Sequence, residues 1–415
     1  MSIPAETIAI VTVCLASAAG VLIRPWRLPE AIWACAGAGV LVIAGLLAPR
    51  DALGAIARGR DVYLFLVGMM LLSELARREG LFDWLAVHAI VWARGSPARL
   101  FTLIYGIGVV VTTFLSNDAT AVVMTPAVYA AARRAEADPL PALFACAFVA
   151  SAASFVLPIS NPANIVLYGG VTPRLGDWFA AFGLPALLAI VATFLTLRWL
   201  ERPRLAGACR SGVELEPLSG GGKLALAGIA STAIVLLTAS ALGWRLGPPT
   251  FLAGLGTALP VWLHRPRKIA PTLRHISWSV LPLVAGLFVL VAGLEQSGLI
   301  AALAQSLSGS PRPTAAGAGV VVAVAANLVN NLPAGLVASH AIAAAHPPAL
   351  VTDALLIGVD LGPNLSITGS LATILWLAAI RREGADVSFW HFLRVGMVVM
   401  PPALALALAA RIALG

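Results

Sequence analysis

The chain has 415 residues; 60% are hydrophobic and only 11% charged, and 27 Lys+Arg against 19 Asp+Glu give a formal net charge of +8. An average soluble domain carries about 25% charged residues, so this composition excludes a soluble globular enzyme, a disordered chain and a secreted disulfide scaffold. The four cysteines never form CxxC, and no basic run is interleaved with aromatics, so neither a metal site nor a nucleic-acid partner is indicated.

A membrane-spanning helix needs about 20 apolar residues. In chain order, spans are predicted over 5–23, 31–48, 62–76, 140–159, 178–198, 223–243, 250–264, 276–294, 350–361 with 368–380, and 393–411. Two further apolar stretches, 98–133 and 313–345, are interrupted near their middles by polar residues and read as re-entrant hairpins. The pieces 81–91 and 299–307 are too short to span and read as amphipathic connectors at the interface. The fold class expected is therefore an all-α polytopic membrane protein. Its two inverted repeats carry five spans each, with re-entrant helical hairpins and broken helices.

Basic residues set the orientation, because cytoplasmic loops collect Lys and Arg. With both termini outside, only Arg50, Arg58, Arg60, Arg174, Arg245, Arg312 and Arg411 fall outside, and the other 20 basic residues fall inside. The Gly-, Pro- and charge-rich stretch 201–222 then lies in the cytoplasm. It divides the chain into an N-terminal transmembrane repeat (1–200), a linker (201–222) and a C-terminal inverted repeat (223–415).

The halves resemble each other. Residues 65–86 align with 283–304, so that Gly68 maps to Gly286 and Gly80 to Gly298. Leu115-Ser116-Asn117-Asp118 aligns with Leu328-Val329-Asn330-Asn331, and Asn161-Pro162 with Gly362-Pro363. An odd number of spans per half turns the second copy upside down. Inverted repeats with discontinuous helices mark secondary transporters, whose substrates bind near the midplane.

Four polar breaks interrupt the apolar sequence, at 114–120, 158–164, 327–333 and 360–370. Unpaired backbone N–H and C=O groups in lipid cost several kcal/mol each, so such backbone must lie inside protein or beside a water-filled cavity. Pairing the breaks by the repeat brings two hairpin tips and two unwound helices together, with half-helix N-termini pointing inward. Among the acids, Asp118 stands alone in an apolar stretch between Arg99 and Arg134, where an isolated carboxylate is expensive. Its residue type admits three roles: proton carrier, sodium ligand or helix N-cap. Its aligned mate, Asn331, does not titrate. Asp360, which precedes the fourth break, is the second proton-coupling candidate. No Ser–His–Asp arrangement or P-loop appears, so no enzyme activity is expected.

At these breaks FLSNDATAVVMTPAV (114–128), LPISNPANIVLYGG (157–170), NLVNNLPAGLV (327–337) and above all LGPNLSITGSLATILWL (361–377) resemble the ArsB-type arsenite efflux family. That family belongs to the ion transporter superfamily. The resemblance covers nearly the whole chain. It implies a multi-pass protein of the cell inner (plasma) membrane that exports arsenite and antimonite in exchange for protons. It also implies no cofactor beyond the proton motive force, and an optional cytoplasmic arsenical-pump ATPase partner. The superfamily's sodium/proton antiporters and dicarboxylate or anion carriers are the alternatives. At neutral pH arsenite is mainly As(OH)₃, a small uncharged solute that calls for amide and hydroxyl partners. Asn117, Thr120, Ser160, Asn161, Asn164, Asn330, Asn331, Asn364, Ser366, Thr368 and Ser370 are the substrate-binding candidates. No Lys or Arg lies at a break, which disfavours a dianion. Three-cysteine capture of As(III) is not expected, since Cys14, Cys35 and Cys146 are far apart in sequence.

Overall fold

The structure, a computed structural model, describes residues 4–210, 213–264 and 269–415. Arg265, Arg267 and Lys268, counted above on the inner side, and linker positions 211–212 lie outside the described residues. The described chain is helical, without strands. Among the described residues, seven helical segments are long and apolar enough to cross a membrane, so the protein is a multi-pass membrane protein.

Ten helices make up the first half. They are α1 (Ala5–Ile23), α2 (Glu30–Ile43), α3 (Pro49–Arg58), α4 (Arg60–Arg78), α5 (Leu81–Ala93), α6 (Pro97–Leu115), α7 (Thr125–Arg134), α8 (Pro139–Ala152), α9 (Pro162–Leu167) and α10 (Leu175–Leu200). The second half repeats the order with α11 (Gly220–Ala241), α12 (Gly247–His264), α13 (Ile269–His275), α14 (Val280–Gln296), α15 (Leu299–Ser306), α16 (Pro311–Val329), α17 (Asn331–Ala345), α18 (Ala349–Leu361), α19 (Leu371–Arg382) and α20 (Phe389–Leu414). Contacts between the halves are reciprocal. α2 packs on α14 while its counterpart α12 packs on α4, and α10 packs on its own counterpart α20. Reciprocity of this kind is the signature of a two-fold relation.

Local sequence explains the element ends. Pro occupies the first turn of α3, α6, α8, α9 and α16, where its missing N–H costs nothing. Ser96, Asp138, Asn161 and Ser388 cap α6, α8, α9 and α20 with their side chains. Gly80 and Gly298, aligned in sequence, precede α5 and α15 with φ of +76 and +79, backbone that a side chain would strain.

The repeat register differs from the sequence alignment at two places. Helices α6 and α16 end at Ser116 and Asn330, both at positive φ (100 and 75), and Thr120 N–H and Ala334 N–H bond back to their carbonyls. Ser116 therefore corresponds to Asn330, and Asp118 to Leu332 rather than Asn331. Likewise Asn161, which caps α9, corresponds to Ser370, which caps α19, and not to Gly362. The span predicted over 140–159 stops at Ala152, because Ser154, Pro158 and Ser160 unwind the chain before α9. The short helices α3 and α13 were not expected from sequence. Helix α5 is not a surface connector: Leu81, Phe82, Ala86, Ala89, Ile90 and Ala93 are buried, and it packs on α6 and α7. Trp178 is equally interior, fully buried with its indole N–H on Phe155 O at 3.1 Å. The linker is pinned where it passes Gly95 and Ala135, by Cys209 N–H on Gly95 O and Arg210 N–H on Ala135 O.

Helices α8 and α18 form the centre. Every residue from Pro141 to Ala152 and from Leu350 to Leu361 is buried, so neither helix has an exposed face and both belong to the interior.

Candidate functional site

All four breaks open on one central pocket. Its wall includes Asn117 and Asp118 from the first break, Asn161 and Pro162 from the second, Asn330 and Asn331 from the third, and Ser370 and Leu371 from the fourth. Each pair sits where a half-helix starts, so backbone N–H groups and partial positive charge from four helix ends meet there. Against that stand two carboxylates, Asp118 and Glu30, and no Lys, Arg or His lines the pocket among the described residues.

Five of the substrate-binding candidates therefore separate from the rest by position: Asn117, Asn161, Asn330, Asn331 and Ser370 reach the pocket together with the proton-coupling candidate Asp118. The other residues named from sequence face protein. Thr120 bonds Thr112 at 2.8 Å. The Ser160 hydroxyl donates to Thr113 O at 3.1 Å and accepts from Leu157 N–H at 3.1 Å. Ser366 donates to Asn327 Oδ1 at 2.8 Å, and Thr368 to Asn327 O at 3.0 Å. Asn164 and Asn364 donate to backbone carbonyls of Ser154 and Phe148 at 2.8 and 3.1 Å. Asp360 is fully buried and accepts from Asn161 Nδ2 at 2.7 Å. These groups hold the unwound backbone in place, each satisfying N–H or C=O groups that the breaks leave open.

The first hairpin tip is fixed from both sides. Asn117 N–H donates to Ser160 O at 3.0 Å, and Asn117 Oδ1 accepts from Asp118 N–H at 2.9 Å. The second tip repeats the device with Leu332 N–H on Asn330 Oδ1 at 3.3 Å. After Asp118 the helix resumes as one widened π-helical stretch, Ala119–Met124, a feature common at functional sites. Ser116 and Asn330 at positive φ are strained for residues with a Cβ, and such strain gathers at binding sites.

A second, larger cavity of about 620 Å³ runs from the central pocket to the end of the molecule that carries Arg77, His275 and Arg382. The two share Leu66, Asp118, Pro162, Val280 and Leu371. Asp118 thus stands at the junction of vestibule and pocket. Its carboxylate forms no hydrogen bond or ion pair among the described residues. The sequence reading missed Glu30, which stands one residue before the span predicted over 31–48. Glu30 is only 6% exposed, borders the pocket, and pairs with Arg24 at 3.0 Å.

The citrate transporter family, CitMHS, matches residues 15–380. The chain belongs to the CitMHS family. Relatives of this CitMHS protein include the arsenical pump membrane protein of Yersinia enterocolitica, 29% identical over 83% of this chain and 84% of the relative. The arsenical pump membrane protein of Escherichia coli K12 is 27% identical over the same shares. An uncharacterized transporter of Mycobacterium bovis is 27% identical over 96% of both chains. In three dimensions the CitMHS chain is similar to the Alcanivorax borkumensis YdaH transporter, with TM-score 0.60 and 15% identity over 99% and 98% of the two chains. It also resembles Neisseria gonorrhoeae MtrF, an efflux pump, with TM-score 0.53 and 13% identity over 99% and 94%. The protein is a membrane transporter of the CitMHS and ArsB type.

Proposed function

We propose that the protein exports arsenite and antimonite, as As(OH)₃ and Sb(OH)₃, from the cytoplasm across the cell inner membrane in exchange for protons. The observation that carries this reading is the lining of the central pocket: amides and a hydroxyl from all four breaks, an unpaired Asp118 at the entrance, and no fixed cation. A neutral trihydroxy solute matches these partners, since each As–OH donates one hydrogen bond and accepts others. Citrate does not match them as well. Four helix ends favour an anion, but a multiply charged carboxylate would enter beside the unpaired Asp118, and the Arg next to the pocket, Arg24, is already paired with Glu30.

Exchange follows from competition for one group. Ionised Asp118 accepts a hydrogen bond from a hydroxyl of the solute. Protonation replaces the ionised acceptor by a neutral carboxyl, which holds the solute more weakly and lets it leave. Return of the proton to the cytoplasm restores the carboxylate for the next molecule. The hairpins and broken helices move together, exposing Asp118 to one side at a time. The proton motive force supplies the drive.

The test is arsenite uptake into everted membrane vesicles under an imposed gradient, acid inside. Accumulation that collapses with the gradient is expected. Accumulation that ignores the gradient, or that needs sodium, overturns the reading. Accumulation of labelled citrate in place of arsenite assigns the pocket to carboxylates.

A further inference from the structure

Beside the central pocket, the second hairpin leaves an apolar groove. It runs between α1 and α14 on one side and α15, α16 and α17 on the other, and has a volume of about 540 Å³. Helix α1 packs on α2 and α16 on α18, while α1 and α16 meet only lightly, so the seam between them stays open. No charged side chain lines the groove among the described residues. Two of its polar groups are already engaged: the Cys14 thiol donates to Leu290 O at 3.5 Å and the Ser306 hydroxyl to Leu303 O at 2.6 Å. Helix α14 gives the groove its direction, beginning at the vestibule with Val280 and ending at Gln296. Helix α15 follows at that far end, where its Leu299, Leu303 and Leu307 line the groove. At the inner end, Val21, Leu287 and Pro333 line both the groove and the central pocket. Pro333 lies in the first turn of α17, two residues after Asn331. The groove is therefore the back of the second hairpin tip.

Its surroundings identify the occupant. Helices α1 and α16 are the least buried of the seven spans. Leu15 and Val321, one on each, line the groove and are 61% and 67% exposed, so it opens sideways into the hydrocarbon layer. That layer excludes water, and a gap left unfilled would forfeit the dispersion contacts of its walls. Along α16 the wall runs from Thr314 to Val329, about 22 Å at the helical rise per residue. The volume spread over that length gives a cross-section of about 25 Å². A helix of a second copy, about 10 Å across, is too wide for it, whereas one extended hydrocarbon chain fits. We infer that this groove is a binding site for one acyl chain of a bilayer phospholipid, entering past Leu15 and Val321 and ending against the second hairpin tip. The lipid belongs to the leaflet away from the vestibule, because the groove lies between the midplane break and α15. The chain backs the tip that carries Asn330 and Asn331, so movement of that tip toward the lipid requires the chain to shift.

The inference does not depend on the transported solute, and its test involves none. The purified full chain is reconstituted into phosphatidylcholine vesicles containing a trace of phosphatidylcholine with a diazirine midway along one acyl chain. After irradiation the cross-linked peptides are mapped. Cross-links on Val337 and Ala338 of α17, which line the groove, are expected. No residue from Asn331 to Ile342 is exposed, so lipid outside the groove does not reach them. Gly317 and Val321, one turn apart on α16, line the groove, and a Cβ on Gly317 would meet nothing within 4 Å. The double variant Gly317→Phe/Val321→Phe therefore fills the groove without striking the backbone. It is expected to lower the α17 label several-fold while leaving the label on the exposed Leu187 and Leu195 of α10 unchanged. Gly106→Phe, at an equally open glycine outside the groove, should leave both labels as they are. An unsubstituted protein without α17 label overturns the site, and so does an α17 label undiminished in the double variant. The map of the unsubstituted protein gives an answer even where the variant does not fold.

Discussion

In the proposed exchange, Asp118 is the residue on which coupling turns. Other acids near the breaks are engaged: Asp360 with Asn161 and Glu30 with Arg24. Asp118 is left free at the point where the vestibule meets the pocket. A group that must both hold solute and take a proton has to be free in this way, because a salt bridge would keep it permanently ionised. Asp118→Asn keeps the side chain's size and its ability to accept a hydrogen bond but removes titration. Gradient-driven arsenite accumulation in everted vesicles is expected to fall to the background of vesicles without the protein. Solute-for-solute exchange at zero gradient should persist at reduced affinity, since the neutral amide still accepts a hydrogen bond but lacks the charge. Full gradient-driven accumulation by the variant would remove Asp118 from the coupling scheme. Asp118 was legible in the sequence because a lone carboxylate in an apolar stretch is conspicuous. Glu30 was not, because a Glu beside Arg24 and Pro29 at the start of an apolar run looks like any solvated span end. Only the fold shows that this end is turned toward the pocket.

At the scale of elements, helix crossings rest on glycines that the repeat places in pairs. A Cβ on Gly68 of α4 would lie 2.4 Å from Thr250 O of α12, and one on Gly286 of α14 would lie 2.8 Å from the Ala34 backbone of α2. Backbone opposite each position has no rotamer to yield. Gly68→Ala and Gly286→Ala should therefore each push a helix pair apart, costing about 1–3 kcal/mol as overpacking does. Gly106→Ala, with nothing within 4 Å, is expected to be neutral or to stabilise α6 by about 0.5–1 kcal/mol. Thermal unfolding of the three purified variants checks this. A Gly68→Ala protein as stable as Gly106→Ala would mean that the α4–α12 crossing is looser than described. The aligned glycines were visible in the sequence as a repeat, but their reason was not, because it is a contact between halves. The same limit explains the shifted register at the hairpin tips. Asn-rich strings align about equally well one residue apart, whereas the positive φ of Ser116 and Asn330 admits one pairing. Helices α3 and α13 escaped prediction because short charged segments at span ends read as loops, and α5 was placed at the surface because burial on several sides leaves no periodicity to read.

For the whole molecule, the two ends differ in a way that defines the state. At one end the vestibule is open and bordered by Arg77, His275 and Arg382. At the other, Arg411 pairs with Asp353 at 2.8 Å while Tyr168 donates to the same carboxylate at 2.6 Å, tying α18 and α20 to the end of α9. Asp61 and Arg245 make a second tie, between α4 and the approach to α12. A transporter that alternates between two openings would hold its closed side with such bonds. The charge asymmetry of the sequence assigns the open end to the cytoplasm, and on the proposed export reading this conformation is the one that admits solute. This assignment is tested by a single cysteine at Val122, which lines the vestibule beyond Asp118. The background is a chain whose exposed Cys35 and half-buried Cys209 are replaced. A membrane-impermeant maleimide is expected to label Val122→Cys in everted vesicles and not in intact cells, with arsenite slowing the reaction by occupying the path. Labelling from the outside of intact cells alone would reverse the orientation. It would place the tied end at the cytoplasm and turn the export reading into uptake.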